Sequence, residues 1–308
     1  MQVFSRKQRR DGQDTGRAIV LVSWDGKDRP LSCVAQDAAP EFDIVLFDYT
    51  GTHSQVPAAA SANTVALISQ RTECKGEIYR HFAAWVKNNR TSADYVALID
   101  DDVLISVSAL NMALHQGRQW NLDVFSPTLD PRSAHSHDFM IAQPAEEQPR
   151  YVDWVEVMMP FYRTGLLLET GSRIGGNISS WGIDKYLVPT IQWLRGKTRT
   201  ALLDCVVAVH ERPITSGFRR FRNGWTADEE MRLMKWKARN LARRSRWSHQ
   251  PAAAMPPTLH DELECDLRTL VRQLRRRYIR RLRSLAAALF QRTTTLSGRL
   301  AARRRAAR

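Results

Sequence analysis

The chain has 308 residues, 43% of them hydrophobic and 25% charged, which is enough to bury one large core or two ordinary ones and excludes a wholly disordered or collagen-like chain. No apolar run approaches the roughly 18–20 residues that cross a bilayer. The formal net charge is +14, but fourteen arginines and one aspartate fall in residues 266–308, leaving +1 on the other 265, so any argument from charge concerns the tail alone.

The N-terminal MQVFSRKQRRDGQ is basic with no apolar stretch behind it, and no secretory leader is expected from it. Arg17–Ser23 then reads as a buried strand ending at turn material, and Phe42–Asp48 as a second strand ending at Tyr49-Thr-Gly51. Thr64–Ser69 supplies a third apolar run. Glu77–Asn88 sets Ile78, Phe82, Trp85 and Val86 at helical spacing. Tyr95–Ile99 is an apolar strand that runs directly into Asp100-Asp101-Asp102, and Ser106 is placed to cap a helix through Gln116.

Further strands are expected at Asp123–Ser126, Val152–Met159 and Ala201–His210. Helices are expected at Phe161–Glu169 and Ile183–Leu194, with a glycine-bearing loop, 171–182, between them. After Gly224 the pattern becomes helical only: Thr226–Trp247, a Pro/Ala linker over 251–257, then the tail. We therefore expect an α/β fold, a mostly parallel sheet covered by helices, over residues 1–225, and a helical, basic extension over 226–308. Ligands of such sheets sit beyond the carboxyl ends of the strands. This puts Ser23, Asp48 and the Asp100–Asp102 triplet on one candidate rim.

Cys33, Cys74, Cys205 and Cys265 form no CxxC pair, so we expect reduced thiols and a cytoplasmic protein rather than a zinc finger or disulfide framework. No P-loop, GxGxxG, GxSxG or HExxH segment is present. Three adjacent carboxylates repel one another and need a compensating cation. Asp100 and Asp102 can point to one side as hard oxygen ligands for Mg²⁺ or Mn²⁺ shared with substrate phosphates. A solvated acidic turn is the other reading. Glu156 interrupts an apolar run, where a carboxylate is costly unless it is functional or paired, for instance with Arg163. Lys75-Gly76 can meet a nucleotide or be a solvated lysine, and 175–177 can approach phosphates or be an ordinary loop. His135-Ser-His137 lies in a polar loop and reads as structural or acceptor-facing.

Four segments in order carry a resemblance: Asp94–Val103 (DYVALIDDDV), Tyr151–Pro160 (YVDWVEVMMP), Ser180–Asp184 (SWGID) and Leu203–Pro213 (LDCVVAVHERP). The first resembles the DxD segment of GT-A-fold glycosyltransferases. Together they resemble a GT-A-like plant and bacterial family with DDD, VExMAP, WGxD and VxHxRP motifs, over roughly Val20 to Gly217. The resemblance implies a metal-dependent hexosyltransferase-like enzyme that uses a nucleotide-sugar donor and a carbohydrate or lipid-linked acceptor. It implies donor contacts from Ser23, Asp48, Lys75, Asp100 and Asp101, metal ligation by Asp100, Asp102 and His210, and a general base at Asp184 with Glu156 as runner-up. Asp184 departs from the commoner Glu-Asp form, having Ile183 before it, and an Asp opening a helix also suits the helix dipole. His210 also reads as a polar strand end hydrogen-bonded to Asp204 or to backbone.

In the tail, Leu267, Leu270, Val271, Leu274, Tyr278, Leu282, Leu285 and Leu289 fall on one helical stripe among arginines. An anionic membrane surface is the expected partner, on the inner face of the membrane, because the stripe is broad. Specific nucleic-acid binding is not expected, as interleaved aromatic residues are lacking; the third reading is a leucine stripe packed on the body or a partner with the arginines in water. A non-catalytic adaptor acting through this tail and a metal-dependent phosphoesterase are the alternative functions.

Overall fold

The computed structural model describes residues 2–5, 17–89, 91–144, 148–213 and 217–246. The chain divides into two units, Met1–Glu264 and Cys265–Arg308, and every described residue lies in the first. The Pro/Ala linker and the Leu/Arg tail fall outside the described residues. No helix among the described residues is long and apolar enough to cross a membrane.

The elements, in order, are β1 (Gln2–Ser5), β2 (Ala18–Trp24), α1 (Asp28–Cys33), β3 (Val34–Ala35), β4 (Phe42–Asp48), β5 (Thr64–Ser69), α2 (Lys75–Asn88), β6 (Tyr95–Ile99), β7 (Val103–Ser106), α3 (Val107–Gln119), β8 (Val124–Leu129), β9 (Arg150–Tyr151), β10 (Phe161–Arg163), α4 (Thr164–Gly171), α5 (Val188–Leu194), β11 (Thr200–His210) and α6 (Ala227–Arg246). A π-helical turn, Ile183–Leu187, leads into α5. The fold is mixed α/β, one large sheet ordered β1-β5-β4-β2-β6-β10-β8-β11-β7-β3 with helices flanking it. The block β5-β4-β2-β6 is parallel throughout. Both of its faces are covered, so β2, β4 and β6 are buried at every position, which is why they read as continuous apolar runs rather than alternating ones.

The second half of the sheet is mixed, and two expectations fail there. Val152–Met159 is not a strand. Its last residues do run beside β6, where the amides of Leu98 and Asp100 donate to the carbonyls of Pro160 (3.2 Å) and Met158 (3.0 Å). Pro160 has no N–H to return to Leu98, so that rung of the ladder carries one bond rather than two. The strand is instead β10, where a helix was expected. Phe161 pairs with Ala97 on one side and Phe125 on the other, and the helix begins only at Thr164. Phe161 and Phe125 stack at 4.8 Å and Tyr95 meets Phe125 edge-on at 5.2 Å. Each such ring contributes about 1.5–3 kcal/mol by leaving water.

Helix ends follow local chemistry. Ser106 Oγ accepts from the Ala109 amide at 3.1 Å, capping α3 as its position in the sequence suggests. Thr226 and Glu229 form a reciprocal capping box for α6, each side chain accepting the other's amide (3.3 and 2.9 Å). The fully buried Glu230 then takes the amides of Ile178 (2.8 Å) and Ser179 (2.6 Å), fixing α6 to the segment that precedes the π turn.

Asp48, at the carboxyl end of β4, is 0% exposed. It accepts from the amides of Thr50, Gly51, Thr52 and His53 and from the hydroxyls of Thr50 and Ser69, at 2.6–3.2 Å. Burial alone would raise its pKa, but these donors hold it well below the carboxylate range. The carboxylate organises the 49–53 turn beside the rim. Asp48→Ala takes the shared acceptor from all six donors, and we expect it to destabilise the protein by about 3 kcal/mol in urea unfolding, against about 1 kcal/mol for an average substitution.

Candidate functional site

The carboxyl ends of β2, β4 and β6 form one rim. Ser23 is buried next to the end of β2, and Asp100–Asp102 leave the end of β6. Asp102 is followed at once by β7, and β7 pairs antiparallel with the end of β11, His210 opposite Val103. β11 is long enough to do this because it runs parallel to β8, shifts register between Leu203 and Val207, and continues past the sheet to β7. The Glu211 amide donates to the Asp102 carbonyl at 3.1 Å. Residues more than a hundred positions apart therefore meet: His210 Nε2 lies 3.3 Å from Asp102 Oδ2.

The other imidazole nitrogen settles the ring's orientation. His210 Nδ1 donates to the Ala134 carbonyl at 2.7 Å, and the His210 amide donates to Ser133 Oγ at 3.1 Å. With Nδ1 so engaged, Nε2 faces Asp102, the arrangement of a ligating histidine whose second nitrogen is held by a carbonyl. Asp204, the alternative partner, is instead bound by Arg150 at 2.8 Å. Burial works against charge on His210, but Asp102, the Ala134 carbonyl and Asp100 outweigh it and raise its pKa.

The cations demanded by three adjacent aspartates are present. Lys75 Nζ, in the first turn of α2, is 2.5 Å from Asp100 Oδ1. Arg212 bridges the other two, pairing with Asp101 and lying 2.9 Å from Asp102 Oδ2, and Tyr49 Oη donates to Asp101 at 2.6 Å. Asp102, opposed by burial but held by His210 and Arg212, has a lowered pKa. Asp100 goes the other way: burial pushes it up to about 6 despite Lys75. Arg212 and Tyr49 were given no role from the sequence. Arg212 stands two positions beyond His210, past the end of β11, and no periodic pattern in the sequence marked it.

Glycine makes two close approaches here. A Cβ on Gly76 would lie 2.6 Å from Asn177 Oδ1 and 2.9 Å from the Ile178 carbonyl, so only glycine lets α2 start against 177–180 and point Lys75 at Asp100. Gly182 has φ +81°, a left-handed turn that begins the π turn carrying Asp184. The 175–177 loop is tied down by its own bonds: Asn177 accepts from Ser180 and donates to the Trp181 carbonyl.

Asp184 Oδ1 accepts the Lys185 amide at 2.7 Å. Burial nevertheless pushes it up to about 6, against the amides of Lys185 and Val157 and the charge of Lys75. Glu156 sits in the irregular segment before Pro160, not on a strand. Its Oε2 is buried without a hydrogen-bond partner among the described residues. Burial first and Asp184 second push it up to about 7, with His210, Lys75 and Ser136 opposing. Arg163 does not reach it, being bound to Asn121 and stacked over Tyr95. Lys75 bears on Asp100, Asp102, Glu156 and Asp184 alike, so these groups occupy one neighbourhood. Lys75→Met removes that shared charge. We expect the pKa of Asp100 to climb further, read by carboxyl NMR titration.

Among the described residues no cluster of three or more His, Cys, Asp or Glu side chains is placed to hold a metal ion. Among the described residues, Asp102 and His210 are the two donors that converge here; Asp102 Oδ2 also meets Arg212 at 2.9 Å, and Asp100 is engaged by Lys75. One carboxylate and one oriented imidazole fit Mn²⁺ or Mg²⁺ when substrate phosphates and water complete the shell.

No family model and no curated protein matches this chain. Among solved structures it is similar to S. aureus TarS 1–349, at 15% identity and TM-score 0.49 over 73% of this chain, and it spans 65% of that chain. It is similar also to TarS 1–349 in complex with UDP-GlcNAc, at 12% identity and TM-score 0.48 over 80% of this chain and 79% of that one.

Proposed function

We propose that the chain is a metal-dependent glycosyltransferase of GT-A type, moving a sugar from a nucleotide-sugar to an acceptor hydroxyl on a carbohydrate or lipid-linked molecule. The observation that carries this reading is the meeting of Asp102 with His210, whose Nδ1 is committed to the Ala134 carbonyl. Asp102 and His210 would hold the divalent ion, and Asp100 would contact ribose or sugar hydroxyls. When bound, the ion neutralises charge on the departing diphosphate.

Arg212 keeps a fixed positive charge beside the same phosphates. The bond from the anomeric carbon to the phosphate oxygen breaks, and a bond to the acceptor oxygen forms. The acceptor proton passes to a carboxylate. Glu156 suits that step better than Asp184, because its Oε2 is unpartnered and its pKa lies close to neutrality, whereas Asp184 is held by amides. Asp184 then orients the acceptor.

The test is a panel of nucleotide-sugars with Mn²⁺, reading free nucleoside diphosphate. Release from one donor that Asp102→Ala abolishes is expected; no binding or turnover of any donor would reject the reading. For the tail we propose an anionic membrane surface as partner. Sedimentation with anionic vesicles that is lost on deleting 266–308 is the expected result, and sedimentation that deletion leaves unchanged would contradict it.

A further inference from the structure

Beside the carboxylates lies a group of rings that the reaction above does not use. Trp154 and His137 meet edge-to-face at 4.8 Å, Trp154 and Phe139 at 5.0 Å, and His137 and Phe139 lie 5.7 Å apart. All three rings are half-buried rather than enclosed. They come from two segments that the site itself holds in place. The 133–139 segment is fastened to His210 through Ser133 and Ala134, and its Ser136 bonds to Glu156. Trp154 stands two residues before Glu156.

Burial, and then the charge of Lys185 beside Asp184, lower the His137 pKa against Asp138. The surroundings of the rings are polar: His135 lies 3.3 Å from a fully exposed Asp138, with Ser136, Glu156 and Lys185 adjacent. A continuous apolar groove would suit a lipid chain, and an open strand edge would suit a peptide. A small aromatic face rimmed by hydroxyl-binding groups matches one chemistry, a sugar ring with an apolar C–H face and a belt of hydroxyls.

We infer that Trp154, braced by His137 and Phe139, is the acceptor platform, and that the acceptor is a carbohydrate whose terminal ring stacks on the indole with one hydroxyl turned to Glu156. This rests on the proposed glycosyl transfer, yet it is measured without it. The intact protein, with no donor present, is titrated with cello-, malto-, chito- and galacto-oligosaccharides by saturation-transfer NMR and indole fluorescence.

Wild type is expected to bind one of these series, with saturation strongest at the ring C–H protons. Trp154→Ala and His137→Ala should weaken binding tenfold or more and about threefold respectively, and Trp154→Phe should restore most of it. Trp154→Phe keeps an aromatic ring in place should the alanine variant fail to fold. Absence of binding to every series, or binding that Trp154→Ala leaves unchanged in the folded protein, overturns the inference. Donor turnover without carbohydrate binding would show that the function stands and the acceptor is another hydroxyl. Carbohydrate binding without donor turnover would show the reverse.

Discussion

On the proposed glycosyl transfer, Asp102→Asn is expected to lower nucleoside diphosphate release by about 10³-fold, the scale for removing a preorganised charge at the leaving group. His210→Ala is expected to do the same, with the double variant barely worse than either alone. The reason is geometric. The two side chains converge at 3.3 Å; as joint holders of the proposed ion they would act as one unit, and such groups are strongly non-additive. The fold should survive, because Asp102 is fastened through its backbone carbonyl to the Glu211 amide and its side chain is half-buried. Steady-state rates with the best donor, combined in a double-mutant cycle, check this. Costs that add fully would mean that the two residues serve separate ends.

Glu156→Gln changes activity and stability in opposite directions. The carboxylate has an ordinary pKa of 4.5, and burial pushes it up to about 7. The native state therefore holds its proton more tightly than the unfolded chain does. That contribution to stability is fully present below pH 4.5 and is lost as pH rises through 7. Each unit corresponds to about 1.4 kcal/mol, so above pH 7 the ionised group costs up to about 3 kcal/mol. Glutamine mimics the protonated form and removes that cost. Urea unfolding should show a gain of up to about 3 kcal/mol at pH 8 and almost none at pH 4. Transfer to the acceptor should fall about 10²- to 10⁴-fold as the proton acceptor is lost. A variant with wild-type stability at both pH values would mean the side chain is hydrated, and retained transfer would move the base to Asp184.

The rim was legible in the sequence wherever burial is complete. Ala18–Trp24, Phe42–Asp48 and Tyr95–Ile99 are covered on both faces, and unbroken apolar runs announce that. The triplet of aspartates at the end of such a run announced a cluster and its need for cations, which Lys75 and Arg212 meet. The sequence was silent where pairing depends on distant partners. Val152–Met159 has every local property of a strand, but Pro160 leaves its rung beside β6 with one bond rather than two. Phe161–Arg163 looks helical beside Thr164–Gly171, yet it is held between β6 and β8. The short β7 is hidden directly behind the aspartates and has no periodicity of its own, and it is the element that brings His210 to Asp102. The two carboxylates Glu156 and Asp184 were visible as anomalies; what separates them is an unpartnered oxygen and a set of amides, which only coordinates contain.

The most direct test of the account is pulsed EPR of Mn²⁺ added to the protein with a nucleoside diphosphate. We predict one bound ion showing ¹⁴N coupling from the His210 imidazole, absent in His210→Ala, with affinity falling as acidification protonates that ring. Mn²⁺ that binds with no nitrogen coupling, or equally well to wild type, Asp102→Asn and His210→Ala, would contradict it.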